Sequence, residues 1–187
     1  MNVAAILLAA GKSSRFGANK LLHPLQGVPI ALHAAASLKA AFPDALAVVS
    51  PGSPLQALLE NAGLRTVVSE RAHEGMGESL KSGITATSEA DGWVVALADM
   101  PFIRPTTHLN IERALRRGAA IAAPAYQGER GHPVGLSGRF RNELLALTGD
   151  AGARFVLKQH AQEIHLVEVD DPGVLKDIDT PQDLPAA

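Results

Sequence analysis

A chain of 187 residues, 47% apolar and 19% charged, has the balance of a globular domain that buries a core. Its net charge of −2 and its 4% aromatic content give no basis for a nucleic acid or a membrane surface as partner. The absence of cysteine excludes disulfides and thiolate zinc sites. The apolar N-terminus is short and lacks a basic leader. It reads as a first strand and not a signal peptide, which makes the cytoplasm the expected compartment.

Strand and helix patterns alternate through most of the chain. Val3–Leu8 is an apolar strand. Pro29–Ala41 has helical character, with Pro29 at a first-turn position and Pro43 just beyond its end. Ala45–Val49 is the next strand. Ser53 and Pro54 open a helix that Gly63 closes, and Arg65–Ser69 is a third strand. A helix begins near Gly77–Ser79 and runs to about Ser88. Trp93–Ala98 is wholly apolar, as expected of a strand covered on both faces. Pro105–Arg117 is a helix stopped by Gly118, and Ala119–Ala123 is a fifth strand. The order changes after Pro124: Tyr126–Leu136 holds three glycines and a proline and reads as a loop or a small β-arm. Two short helices, near Arg139–Leu147 and Gly152–Gln159, and a late strand at Ile164–Val169 follow. Repeated βα units predict an α/β fold: a single three-layer domain over residues 1–187, with a mostly parallel central sheet and helices on both faces.

The chemistry concentrates at the end of the first strand. Leu8–Lys20 reads Leu-Ala-Ala-Gly-Lys-Ser-Ser-Arg-Phe-Gly-Ala-Asn-Lys. Small residues after a buried strand let backbone N–H groups approach an anion, and Arg15 and Lys20 add two cations to the same loop. Together they make a phosphate cradle. A P-loop would need glycine at position 6, which is Ile6, so that rival loses most of its weight. The bland alternative is a connection with two solvated cations.

Asp99 follows the fourth strand, in Ala98-Asp99-Met100-Pro101. A carboxylate at the C-terminal end of a buried strand faces the ligand crevice of an α/β sheet and can give one oxygen to a hard cation. It can equally cap a turn. Near the other end stands Asp177-Ile178-Asp179-Thr180-Pro181-Gln182-Asp183-Leu184, which has the form of a helix start with Thr180 as cap. In Glu74–Gly83, Gly75 and Gly77 allow a close approach to a flat ligand, and Ser79 can read base edges or cap a helix. Arg130 and His132 lie on the glycine-rich arm, with Gly149-Asp150-Ala151-Gly152-Ala153-Arg154 downstream. The remaining histidines (His23, His33, His73, His108, His160 and His165) show no metal-ligand spacing and are read as structural.

The first loop resembles the nucleotidyltransferase signature Leu-Ala-x-Gly-x-Ser-x-Arg-Phe/Met-Gly-x-x-Lys, every fixed position of which is filled by Leu8, Ala9, Gly11, Ser13, Arg15, Phe16, Gly17 and Lys20. Ala10, Gly-Met-Gly-x-Ser-Leu-x-x-Gly at 75–83, Arg-Gly-His-Pro at 130–133 and Gly-Asp-x-Gly-Ala-Arg at 149–154 are similar to the molybdopterin cytidylyltransferase-like branch, within the MobA/MocA-like NTP transferases. The likeness covers the chain from Ala4 to Leu184, with Gln182 in place of the more usual Glu. It implies a Rossmann-like fold of the nucleotide-diphospho-sugar transferase type and Mg²⁺-dependent transfer of CMP from CTP to molybdopterin, with pyrophosphate released.

By that resemblance Leu8, Ala9, Ala10, Gly11, Ser13, Ser14, Arg15, Lys20, Gly75, Met76, Gly77 and Ser79 bind the nucleotide. Arg15, Lys20 and Asp99 serve the transfer. Asp99 and Asp179 hold the metal, with Asp177 as fallback, and Arg130 and His132 meet the acceptor. A monomer in transient contact with a molybdoenzyme or its chaperone is the accompanying expectation. Three alternatives stay open: GTP as donor, a sugar or polyol phosphate as acceptor, and a non-catalytic carrier of the finished cofactor.

Overall fold

The computed structural model describes residues 1–11, 19–149 and 152–184. Its scaffold is an eight-stranded sheet among those residues. The strands are β1 (Val3–Leu8), β4 (Leu46–Val49), β5 (Arg65–Val68), β6 (Gly92–Leu97), β7 (Ile121–Tyr126), β8 (Glu129–Arg130), β9 (Val134–Ser137) and β10 (Ile164–Glu168). Two further short strands, β2 (Pro24–Leu25) and β3 (Val28–Pro29), form a separate hairpin. The sheet runs in the order β10-β7-β9-β6-β1-β4-β5, with β8 paired to β7. Pairs β6–β1, β1–β4, β4–β5 and β7–β10 are parallel.

Alternation along the strands divides the core between two faces. On β1, Val3, Ala5 and Leu7 pack beneath α1 (Ile30–Ala41), α2 (Leu55–Asn61) and α4 (Pro105–Arg116). Ile6 and Leu8 face α3 (Met76–Ala86), α5 (Arg141–Leu145) and α6 (Gly152–Gln159). Both sets are shielded from water, which is why the central strands read as continuous apolar runs. The expected three-layer α/β arrangement with a mostly parallel sheet is therefore present.

The segment after Pro124 departs from its sequence reading in two respects. The strand expected at 119–123 runs from Ile121 through Pro124 to Tyr126. Proline is tolerated because the ladder to β9 stops at Ala122 and that to β8 starts at Ala125, so no donor is needed between them. Glu129–Arg130 does form a small arm against β7, but Val134–Ser137 is not part of a peripheral loop. It is β9, antiparallel to both β6 and β7 in the middle of the sheet. Glycine disguised it. Gly135 sits under α4, where an added Cβ would come within 2.7 Å of Ile111 Cγ2.

Gly135→Val is expected to lower stability by about 2 kcal/mol, the scale of forced overpacking in a core. Chemical denaturation followed by circular dichroism measures it. A loop on the surface would absorb the change without cost.

Candidate active site

Parallel strands direct their C-terminal ends to one edge of the sheet, and a crevice opens there. Leu8 pairs with Val48 on one side and Leu97 on the other, so the segments that leave β1 and β6 emerge together. The resulting cleft has a volume of about 530 Å³. Leu8, Ala10 and Gly11 line it from the first loop, and Lys20, Asp99 and Asp179 bring its charge. Gly75, Met76 and Ser79 form the opposite wall with Ala72, His73 and Glu74.

Glycine is required at one point of that wall and at one point just behind it. Gly75 has φ of 137°, a region that side chains disfavour. Gly77 lies against residue 149, where a Cβ would meet the Gly149 carbonyl oxygen at 2.8 Å. Met76 in turn packs beside Gly152. The two motifs at 75–83 and 149–154 are thus neighbours in space. α3 begins at Met76, so the unpaired N–H groups of its first turn open toward the cleft, a favourable environment for an anion or a base edge.

Lys20 is the electrostatic centre. Its Nζ donates to Asp99 Oδ2 at 2.8 Å and to Asp179 Oδ1 at 2.7 Å. Burial works against its charge, but the hydrogen bonds to Asp179 and Asp99 and their negative charge outweigh that cost and hold the ammonium above its ordinary range. Asp99 Oδ1 is buried and has no hydrogen-bond partner among the described residues. A buried carboxylate oxygen left over in this way fits a hard divalent cation, for which Asp99 and Asp179 are the oxygen donors at hand.

A strap at the C-terminal end of the described chain delivers Asp179. The Ile178 N–H donates to the Asp99 carbonyl at 2.9 Å, and the Ile178 side chain is fully buried. Asp183 Oδ2 accepts from the N–H groups of Thr180 and Asp179 and from the Thr180 hydroxyl. These bonds hold the Asp183 carboxyl below its ordinary range, the Thr180 N–H contributing most. Asp177, the fallback, does not line the cleft. Burial, and then the charge of Asp179, raise its carboxyl.

Higher up the strap, Asp171 is buried and accepts from Arg104 N–H, the Thr107 hydroxyl and Gly173 N–H. The Val174 carbonyl accepts the His132 N–H at 3.0 Å.

Ala9 and Gly77 are buried behind the cleft wall and do not line it. Arg130 is exposed on the β8 arm. His132 stands outside the lining but within electrostatic reach of Asp99. Burial lowers its imidazole, the Asp99 charge opposing and Arg130 reinforcing that shift, and its Nδ1 is buried without a partner among the described residues. Ser13, Ser14 and Arg15 lie outside the described residues. The sequence reading missed Ala72, read His73 as structural, and gave no role to Glu74 although it opens the 74–83 segment; all three line the cleft. No helix among the described residues is long and apolar enough to cross a membrane.

The family model for the MobA-like NTP transferase domain matches residues 5–164. The purine catabolism protein PucB of Bacillus subtilis is 35% identical, over 95% of this chain and 92% of its own. Nicotine blue oxidoreductase of Paenarthrobacter nicotinovorans is 31% identical over the same shares, 95% and 92%. Among solved structures, Rv0371c of Mycobacterium tuberculosis superposes with a TM-score of 0.83 at 26% identity, covering 97% of this chain and 94% of that one. The same mycobacterial protein in complex with manganese gives a TM-score of 0.79 at 24% identity, over 98% and 96% of the two chains.

The strap supplies a pH test. His108 is buried beside Asp171, and burial pushes its imidazole from 6.5 down to about 4, the Asp171 charge opposing. As pH falls from 6.5 toward about 4, the unfolded chain takes up a proton that the folded chain refuses, so stability drops across that window and this contribution levels off below it. His108→Gln is expected to remove on the order of 2 kcal/mol of that acid sensitivity. Melting temperatures of both proteins across the window measure the difference.

Proposed function

The chain belongs to the MobA-like NTP transferase domain family, and from that premise we propose that it transfers CMP from CTP to molybdopterin, giving molybdopterin cytosine dinucleotide and pyrophosphate. The observation that carries this reading is the meeting of Lys20, Asp99 and Asp179 in one cleft, beside the glycine-gated wall at Gly75–Ser79. Choice of CTP rests on Ala10 and on the 75–83 and 149–154 motifs, which touch each other.

In this reading an oxygen of the acceptor phosphate attacks the α-phosphorus of CTP. The bond from that phosphorus to the bridging oxygen breaks, and pyrophosphate leaves with the electron pair. No protein nucleophile is needed, and positioning with charge neutralisation supplies the rate. Backbone N–H groups around Gly11, with Ser13, Ser14 and Arg15, cradle the triphosphate, and Lys20 neutralises its charge. Gly75, Met76 and Ser79 receive the cytosine, while Leu8, Ala9, Ala10 and Gly77 shape the walls. Asp99 and Asp179 would hold Mg²⁺, which when bound supplies charge neutralisation at the phosphates. His132, within electrostatic reach of Asp99, and the exposed Arg130 attend the acceptor. The protein works as a cytoplasmic monomer that passes its product to a molybdoenzyme or its chaperone.

A pyrophosphate-release assay with molybdopterin and Mg²⁺, comparing CTP, GTP, ATP and UTP, tests this. Release with CTP alone is expected, and Asp99→Asn or Asp179→Asn is expected to lower kcat by about a hundredfold or more. Release with GTP alone corrects the base and keeps the site. Silence with all four contradicts a transferase acting on this acceptor and favours a carrier.

A further inference from the structure

The position of Lys20 raises a question that the transfer chemistry leaves open. A cation meant only for the triphosphate has no need to bridge the two carboxylates assigned to the metal. Yet one ammonium, its side chain 12% exposed, reaches Asp99 Oδ2 at 2.8 Å and Asp179 Oδ1 at 2.7 Å. Those are the distances of full charge-assisted hydrogen bonds. A divalent cation that took the same two oxygens would compete with the ammonium for them.

The backbone under Lys20 is anchored by a short turn. Residues 20–22 form a single tight turn, in which the Asn19 side chain caps the Leu21 N–H at 3.3 Å and Leu21 is buried. From that anchor the flexible four-carbon stem carries a compact point charge. The cleft into which it projects is the one that would take the triphosphate.

We propose that Lys20 is the resident counter-cation of the Asp99–Asp179 pair, holding the two carboxylates together until a divalent cation displaces it into the cleft. The inference rests on the reading of Asp99 and Asp179 as the metal ligands. In the metal-free protein Lys20 keeps two like charges from driving the strap away from β6. A metal on those oxygens would take them from the ammonium and turn its charge toward an anionic ligand in the cleft. Metal entry and triphosphate capture are thereby coupled through one side chain, and by reciprocity each favours the other. The competing arrangement places the metal on Asp99 Oδ1, which is unpartnered among the described residues, and leaves Lys20 where it is.

Two measurements on the nucleotide-free protein separate these. Mn²⁺ binding, followed by electron paramagnetic resonance, is expected to be about tenfold tighter in Lys20→Met than in the wild type, as for removal of a charged, hydrogen-bonded competitor. Unchanged or weaker binding overturns the proposal. Because Lys20→Met leaves two carboxylates uncompensated, the wild type serves for the second readout. The Lys20 ammonium signal in a lysine-selective NMR spectrum is expected to be protected without metal and to lose that protection on saturation with Mg²⁺. A signal that Mg²⁺ leaves in place overturns the exchange and favours the Asp99 Oδ1 arrangement. Asp99→Asn on the Lys20→Met background is the control for the underlying reading. If it leaves Mn²⁺ binding intact, the metal assignment itself fails, and the proposal with it. If it abolishes Mn²⁺ binding while Lys20→Met alone shows no gain, the metal assignment stands and only the exchange is wrong.

Discussion

One ammonium joins three distant parts of the chain. Lys20 lies 79 positions from Asp99 and 159 from Asp179, and its two hydrogen bonds make the first loop, the end of β6 and the C-terminal strap a single site. Such a bridge contributes little net stability, because desolvating the charges consumes most of the attraction. Its value lies in geometry. Two carboxylates that would repel are held together about one cation, and hydrogen bonds along the strap do the rest. Ile178 fastens the strap to Asp99, Asp183 shapes the turn that presents Asp179, and Asp171 fixes the upper strap to the start of α4.

The sheet determines what can meet at that bridge. Parallel β1 and β6 release Gly11 and Asp99 at the same edge. The reversed direction of β9 does something a parallel strand could not: its first residue, Val134, pairs with Val95 near the exit of β6, so His132 comes to the Asp99 end of the sheet. The Val174 carbonyl then holds the His132 backbone from the other side. An all-parallel sheet would have sent the residues before β9 to the opposite edge, away from the cleft.

This topology explains what was legible in the sequence and what was not. Val3–Leu8 and Gly152–Gln159 have the bounds that their apolar patterns imply, because local periodicity and burial agree there. The charged and glycine positions that line the cleft were visible as motifs, since loops that approach a ligand need small residues and fixed charge. β9 was hidden because packing under α4 demands a glycine in its middle, and glycine reads as a turn. The nearness of His132 to Asp99 followed from that same strand and stayed hidden with it. Asp177 and Asp179 could not be ranked by spacing alone. The Ile178–Asp99 hydrogen bond fixes the strap so that Asp179 reaches Lys20 and lines the cleft. Ala72 carried no chemical signal, and His73 and Glu74 showed no ligand spacing; the three become wall residues through the turn at Gly75. Ser13, Ser14 and Arg15 belong to the same loop by sequence and fall outside the described residues.

The central claim is that Asp99 and Asp179 form one cation site at the mouth of a nucleotide cleft. The most direct test is a ¹H–¹⁵N NMR spectrum of the protein with Mn²⁺ and a non-hydrolysable CTP analogue, in which the paramagnetic ion erases nearby signals. The account predicts loss of the Gly11, Asp99 and Asp179 amides, while Asn2 and Arg65, at the opposite end of the sheet, remain sharp. Survival of Asp99 and Asp179 beside broadening elsewhere would contradict it.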